Sequence, residues 1–171
     1  MTIEQLIKEL SAPIYKDEEK KIECVRKHLK VDYVDYLAKM ELCRQILSKS
    51  MYAEVNGRVI YKPNSPMRYM LTISALLQAY YDFDLSKVFM EDFNALEKND
   101  MTKLIIKGIG ADMERFSGVM TMMVDDLDYA NSLVPFLDTK TEAIGMSLDA
   151  FKNVAETKNE EEKEESKENV E

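Results

Sequence analysis

The chain has one histidine, His28, and two cysteines, Cys24 and Cys43, in 171 residues. These are the residue types from which zinc sites and nucleophilic pairs are built. A structural zinc site gathers Cys and His at short, characteristic spacings, and a catalytic thiol needs a base beside it. The spacing of Cys24 and Cys43 matches neither a zinc nor a thioredoxin-type motif. His28 stands between Lys27 and Leu29 on a highly charged stretch and reads as an exposed, inert imidazole. Cys43 falls on an apolar helix face, where a free Cys behaves as a small hydrophobe. Residues 1–10 are polar and amphipathic and not a basic stretch followed by an apolar one, so both thiols are expected to be reduced in a cytosol. No catalytic, cofactor-binding or metal-ligating set emerges, and the expectation is a protein that is not an enzyme and uses no cofactor.

Asp125, Asp126 and Asp128 form the densest acidic group in the region expected to fold. A calcium site would want further oxygen ligands in a loop pattern that is absent here, so a solvated face is the reading. Methionine is abundant, with twelve in the chain. Met113, Met120, Met122 and Met123 gather on one predicted helix. They are either adaptable core filler or a surface that repacks around partner helices. Met122 lies off the apolar seam and is the one expected to be exposed. Asn56-Gly57, followed by Arg58, offers a second exposed contact point. The partner-binding candidates are therefore Met113, Met120, Met122, Met123, Asn56, Gly57 and Arg58. The Lys- and Arg-bearing stretch 16–30 also carries Asp17, Glu18, Glu19 and Glu23, and reads as a solvated face with i,i+4 pairs.

The elements that must position these residues are mostly helices. Five glycines and four prolines are few for the length, which favours helix over sheet. Residues 65–83 form the longest apolar run. Ser65 is read as its cap, with Pro66 at the first helical position. Met67, Met70, Leu71, Ser74, Leu77 and Tyr81 follow one face of it, and Ile73, Leu76, Tyr80 and Phe83 a second. Such a helix is buried on several sides. Arg68, Gln78 and Asp82 interrupt it short of the ~18 apolar residues of a membrane span, so no membrane association is expected.

In chain order, Thr2 and Gln5 have capping-box spacing before a first helix with Ile3, Leu6, Ile7 and Leu10 on one face. A second helix over 17–30 carries a thin stripe of Ile22, Val25 and Leu29, which suggests a peripheral N-terminal pair over 1–30. Residues 31–36 begin extended. A third helix, 36–51, is expected to turn Leu37, Met40, Cys43, Ile46 and Leu47 inward. Val55-Asn56-Gly57 followed by Val59-Ile60-Tyr61 predicts a β-hairpin with a type I′ turn. After 65–83, a helix capped by Asp84 or Ser86 runs to about 98, with Val88, Phe89, Phe93 and Leu96 inward. A short helix over 100–107 ends at Gly108-Ile109-Gly110. Met113, Phe116, Met120, Met123, Leu127 and Ala130, spaced 3, 4, 3, 4 and 3, mark a bundle seam on a helix over 111–130. A last helix begins near Pro135 and runs to 155 with Ile144, Leu148 and Phe151 inward.

From 156 the composition changes: eight Glu and three Lys stand in the final sixteen residues. Such a segment cannot bury enough apolar surface to offset its ordering entropy and is expected to be a disordered acidic tail. It carries more than half of the chain's net charge of −9. That balance disfavours direct nucleic-acid binding, which depends on Lys and Arg at phosphates. The expected architecture is an all-α bundle over 1–155 with one short hairpin near 52–62, followed by the tail.

Tyr52, the hairpin, Asn64-Ser65-Pro66-Met67-Arg68-Tyr69-Met70-Leu71, Ala79-Tyr80-Tyr81-Asp82-Phe83-Asp84 and Val124-Asp125-Asp126-Leu127 together resemble a group of small helical proteins of unknown function from tailed phages and prophages of Gram-positive bacteria. The resemblance spans roughly 36–151 and excludes the acidic tail. It implies a phage virion-associated or assembly protein acting by protein–protein contact in the host cytoplasm or in the virion. Its partners would be head, neck or tail components, or a second copy of itself. Two alternatives stand beside it: a tail-assembly chaperone for an unassembled tail protein, and a small regulator or inhibitor of a host protein.

Overall fold

The computed structural model describes residues 1–132; the helix expected over 135–155 and the tail from 156 lie outside them. The chain divides into one unit, Met1–Asp125, and a second that begins at Asp126. The architecture is mainly helical with one two-stranded antiparallel hairpin. Its elements are α1 (Ile3–Leu10), α2 (Glu18–Arg26), α3 (Tyr36–Ser50), β1 (Tyr52–Val55), β2 (Arg58–Tyr61), α4 (Ser65–Tyr80), α5 (Phe89–Lys98) and α6 (Met101–Ile109). Residues 111–125 form α7, and residues 126–132 of the second unit are helical as well. Among the described residues no helix is long and apolar enough to cross a membrane.

Helix α1 starts as its sequence dictates. The Thr2 hydroxyl accepts the Gln5 amide at 3.3 Å, and the Gln5 side chain accepts the Thr2 amide at 3.0 Å. This reciprocal pair satisfies two amides that the first turn leaves orphaned. Ile3, Leu6 and Leu10 are buried. Helix α2 ends at Arg26, four residues earlier than its charge pattern suggests. The chain beyond it closes in a turn through Leu29 and then runs beside the exit of α4. The Lys30 amide donates to the Tyr80 carbonyl at 2.9 Å, and the Asp82 amide to the His28 carbonyl at 3.3 Å. The Asp84 amide likewise reaches the Met1 carbonyl at 2.9 Å. Residues 1–30 are thus integral and not peripheral: α1 packs on α5, α2 on α6, and Ile3, Leu6, Leu10, Cys24 and Val25 join one core with Leu76, Tyr80, Leu96 and Ile105.

Helix α3 differs from expectation in which face it buries. Lys39, Cys43, Ile46, Leu47 and Ser50 point inward, while Leu37 and Met40 are exposed. Asp35 caps the helix, accepting the Leu37 amide at 2.9 Å; at about 100° per residue the inward stripe passes through 39, 43, 46, 47 and 50. Lys39 tolerates that stripe because its ammonium is paired inside the fold.

Helix α4 is central. Ile73, Leu76, Leu77 and Tyr80 are buried along it, so the face through Ile73, Leu76 and Tyr80 dominates, with Met67 exposed at the other's start. Its cap is Asn64, whose side chain accepts the Met67 amide at 3.0 Å. Ser65 is therefore the first helical residue and Pro66 the second, where its missing amide still costs no helical hydrogen bond.

Helix α5 begins at Phe89, later than Asp84 or Ser86 would place it, and Val88 is exposed. Ser86 does contribute: the buried Asp92 carboxylate accepts its amide at 2.6 Å and its hydroxyl at 2.9 Å, folding the lead-in back onto the helix. Asp100 then sits in the left-handed region at φ 55° and breaks α5 from α6. Helix α6 continues through Gly108, which is buried inside it and does not end it. On α7 the inward positions are Asp112, Phe116 and Val119, with Met113, Met120 and Met123 half-buried against the core. Leu127 is half-buried and Ala130 exposed.

Candidate functional site

The hairpin is held at its base and free at its tip. Beyond the end of α3, the Lys62 amide donates to the Met51 carbonyl at 2.8 Å and the Asn64 amide to the Ser50 carbonyl at 2.7 Å. These bonds fix both legs to the helix end. Tyr52 pairs with Tyr61 in register, ring edge to ring face at 5.8 Å. Such an aromatic cross-strand pair stabilises the ladder where it meets the body. The turn residues Asn56 and Gly57 have φ of 52° and 75°. That is the left-handed pair a type I′ turn requires, and Asn-Gly supplies it at little steric cost. Ala53 faces Ile60, Glu54 faces Val59 and Val55 faces Arg58. Pleating therefore puts Ala53, Val55, Arg58 and Ile60 on one side and Tyr52, Glu54, Val59 and Tyr61 on the other. Val55, Val59 and Ile60 are all exposed, Val59 at 74%.

At the foot of the hairpin lies an open groove of about 580 Å³, lined by Lys49, Tyr52, Ala53, Lys62, Pro63 and the start of α4. A second, more apolar groove of about 290 Å³ lies between α4 and α5, walled by Met67, Met70, Met90 and Phe93. The two share Asn64, Pro66 and Met67. They form one surface that runs from the hairpin foot across the first turn of α4 to α5. Its walls are aliphatic, thioether and aromatic groups, with Lys49 and Lys62 on one bank. It holds no converging acid and base, and its methionines can repack around differing partners.

The surface revises the methionine assignment made from sequence. Met113, Met120 and Met123 pack against the core from α7 and offer little free face; Met122 points outward, 52% exposed, as expected. The exposed thioethers are Met67 and Met90, with Met70 half-buried beside them. Sequence reasoning placed Met67 and Met70 on a core face of α4 and did not single out Met90. The available signal was the Asn64-Ser65-Pro66 start, which puts Met67 in a first turn beside the emerging hairpin. Asn56, Gly57 and Arg58 are exposed at the hairpin tip.

At the other end of the α3–α4 pair, where α3 begins and α4 ends, a polar network anchors the helices. Asp112 accepts from the Lys39 ammonium at 2.8 Å, the Tyr80 hydroxyl at 2.8 Å and the Val34 amide at 3.0 Å. Lys39 also donates to the Val34 carbonyl, and its ammonium sits 4.2 Å from the centre of the Tyr33 ring. Among the described residues no buried side-chain nitrogen or oxygen lacks a partner. Burial and the Asp112 carboxylate drive the Tyr80 phenol well above its ordinary range. The network ties the lead-in to α3, the end of α4 and the start of α7 together.

The remaining reactive types are also placed. Cys43 is fully buried, and burial pushes its thiol up to about 11; a thiolate is disfavoured there. His28 is not exposed. It is half-buried, its Nε2 3.2 Å from Glu9 Oε2 and its ring 5.9 Å from that of Phe83. Glu9 of α1 and Phe83 beyond α4 cover it. Asp125, Asp126 and Asp128 are exposed. In comparisons with known proteins, no family model, no curated protein and no solved structure matches the chain.

Proposed function

We propose that this protein is a non-enzymatic binding module that works in a tailed-phage particle or its assembly. It docks a segment of another phage protein across the hairpin and the adjoining methionine surface. The observation that carries the binding role is the pair of adjoining grooves that share Asn64, Pro66 and Met67 and reach Tyr52 and Ala53 at one end and Met90 and Phe93 at the other, beside a hairpin that exposes Val55, Val59 and Ile60. An isolated hairpin is marginal in water. An exposed one with apolar residues on both sides gains by being covered. Lys49 and Lys62 favour a partner with acidic groups beside its apolar ones. The phage setting rests on the sequence resemblance and on nothing else.

The thioether-rich wall also supports the chaperone reading, because a repacking surface suits transient capture of an unassembled tail protein. A photo-crosslinking residue at Ile60 or Met90, introduced during phage production, tests both. Adducts with one phage structural protein that persist in purified virions support the stable component. Adducts found only before assembly support the chaperone. Absence of any adduct at either position, with an adduct forming from Lys98, would remove this surface from the proposal.

A further inference from the structure

Glu9, Cys24 and His28 converge where α1 meets the end of α2. The Cys24 thiol donates to Glu9 Oε1 at 3.3 Å, and His28 Nε2 lies 3.2 Å from Glu9 Oε2. One donor atom from each residue falls within 4.8 Å of the others. Around a tetrahedral ion with bonds of about 2.0–2.3 Å, neighbouring donors stand roughly 3.3–3.8 Å apart. The two short contacts are to different oxygens of Glu9, and a small closing motion of side chains would bring one oxygen, the sulfur and the imidazole nitrogen to that spacing.

The backbone presents the set. Cys24 lies in the last turn of α2 and His28 in the turn just past its end, and both side chains reach Glu9. The His28 amide donates to the Val25 carbonyl and its own carbonyl accepts the Asp82 amide, while Phe83 packs on the ring. The imidazole is therefore held in place before any ligand arrives. Cys24 is fully buried at the floor, whereas the His28 and Glu9 side chains are 25% and 36% exposed. The fourth position opens to water. Tyr15 lies beside the sulfur, in hydrogen-bond reach of it.

We propose that Glu9, Cys24 and His28 form a three-ligand site for a divalent transition metal, of which Zn²⁺ is the best match, with water as fourth ligand. One sulfur, one imidazole nitrogen and one carboxylate oxygen suit zinc and are poor ligands for magnesium or calcium. The ion would replace the thiol proton now shared with Glu9 and clamp α1 onto α2. The site is independent of the docking surface, since the two share no residue.

The test is titration of the reduced, full-length chain with Co²⁺ and then Zn²⁺. The expected result is a thiolate-to-cobalt charge-transfer band in the near ultraviolet that saturates at one ion per chain and is abolished by stoichiometric Zn²⁺. Cys24→Ser should remove the band, and Cys43→Ala should leave it. Glu9→Gln and His28→Ala, at positions that do not open the core, should each weaken binding by about tenfold or more. The carboxylates of the C-terminal segment can bind metal but cannot produce that band. No band at stoichiometric metal, a band that survives in Cys24→Ser, or unchanged affinity in folded His28→Ala would overturn the proposal.

Discussion

The Lys39 ammonium sits 2.8 Å from the Asp112 carboxylate, and both side chains are closed off from water. The two residues are 73 positions apart, so this contact fixes α3 against α7. Removing one member of a buried pair leaves the other charge uncompensated, at a cost of roughly 3–5 kcal/mol. We expect Lys39→Met to lose about that much in urea unfolding. Lys39→Met with Asp112→Asn should recover part of it, because no charge is then stranded. Equal stability of Lys39→Met and the parent protein would refute the anchoring role.

The same carboxylate sets an acid limit on stability. Burial alone would raise the Asp112 carboxyl, but the Lys39 ammonium, the Val34 amide, the Tyr80 hydroxyl and Arg115 outweigh it and hold it below the ordinary carboxylate value. A group whose folded value is depressed stabilises the fold above its unfolded value, about 3.9 for Asp. That contribution fades as pH falls through the folded value. Asp112→Asn should therefore melt below the parent at neutral pH, with the gap narrowing below about pH 4. Thermal melts across a pH series measure this, and a gap constant with pH would count against it.

The faces of α4 should separate stability from binding. Leu77 is fully buried in the core, and a charge there has no partner to offset its desolvation. Leu77→Asp is expected to abolish cooperative unfolding. Met67→Glu and Met90→Glu lie on the exposed groove, and each should change stability by no more than about 0.5 kcal/mol while weakening capture of the docked partner. Loss of folding in the Met variants would show that the groove is structural.

What could be read from the sequence followed from local signals. The Thr2–Gln5 capping box, the Asn56-Gly57 turn and the Asn99-Asp100 break depend on neighbours within four residues, and each lies where those signals place it. Long-range partners were not legible. Nothing local marks Lys39 as buried, because its burial rests on Asp112 and Val34. Leu37 looks like core until packing against α4 and α7 selects the face of α3 that carries Lys39. Likewise His28 reads as solvent-facing until Glu9 and Phe83 come alongside. The docking surface was half legible: turn chemistry marks the hairpin, but the meeting of Met67 with Met90 depends on how α4 and α5 pack.

Gly108 supplies the sharpest packing test. Replacing an interior helical Gly by Ala ordinarily gains about 0.5–1 kcal/mol. Here a Cβ would stand 2.6 Å from the Tyr81 hydroxyl and 3.1 Å from Val25 Cγ1. The Tyr81 ring cannot easily yield: it is buried, stacked on Phe83 at 5.2 Å, and its hydroxyl donates to the Ile105 carbonyl at 2.7 Å. Overpacking of this kind costs about 1–3 kcal/mol, which outweighs the helical gain. We expect Gly108→Ala to destabilise the protein. Tyr81→Phe alone should cost about 1 kcal/mol for the lost hydrogen bond. In the Tyr81→Phe background the clashing oxygen is gone, so the penalty of Gly108→Ala should shrink and only the closer Val25 contact remain. A double-mutant cycle read by denaturant unfolding measures that coupling. Additive penalties would show that the Tyr81 hydroxyl does not set the cost of a methyl group at Gly108.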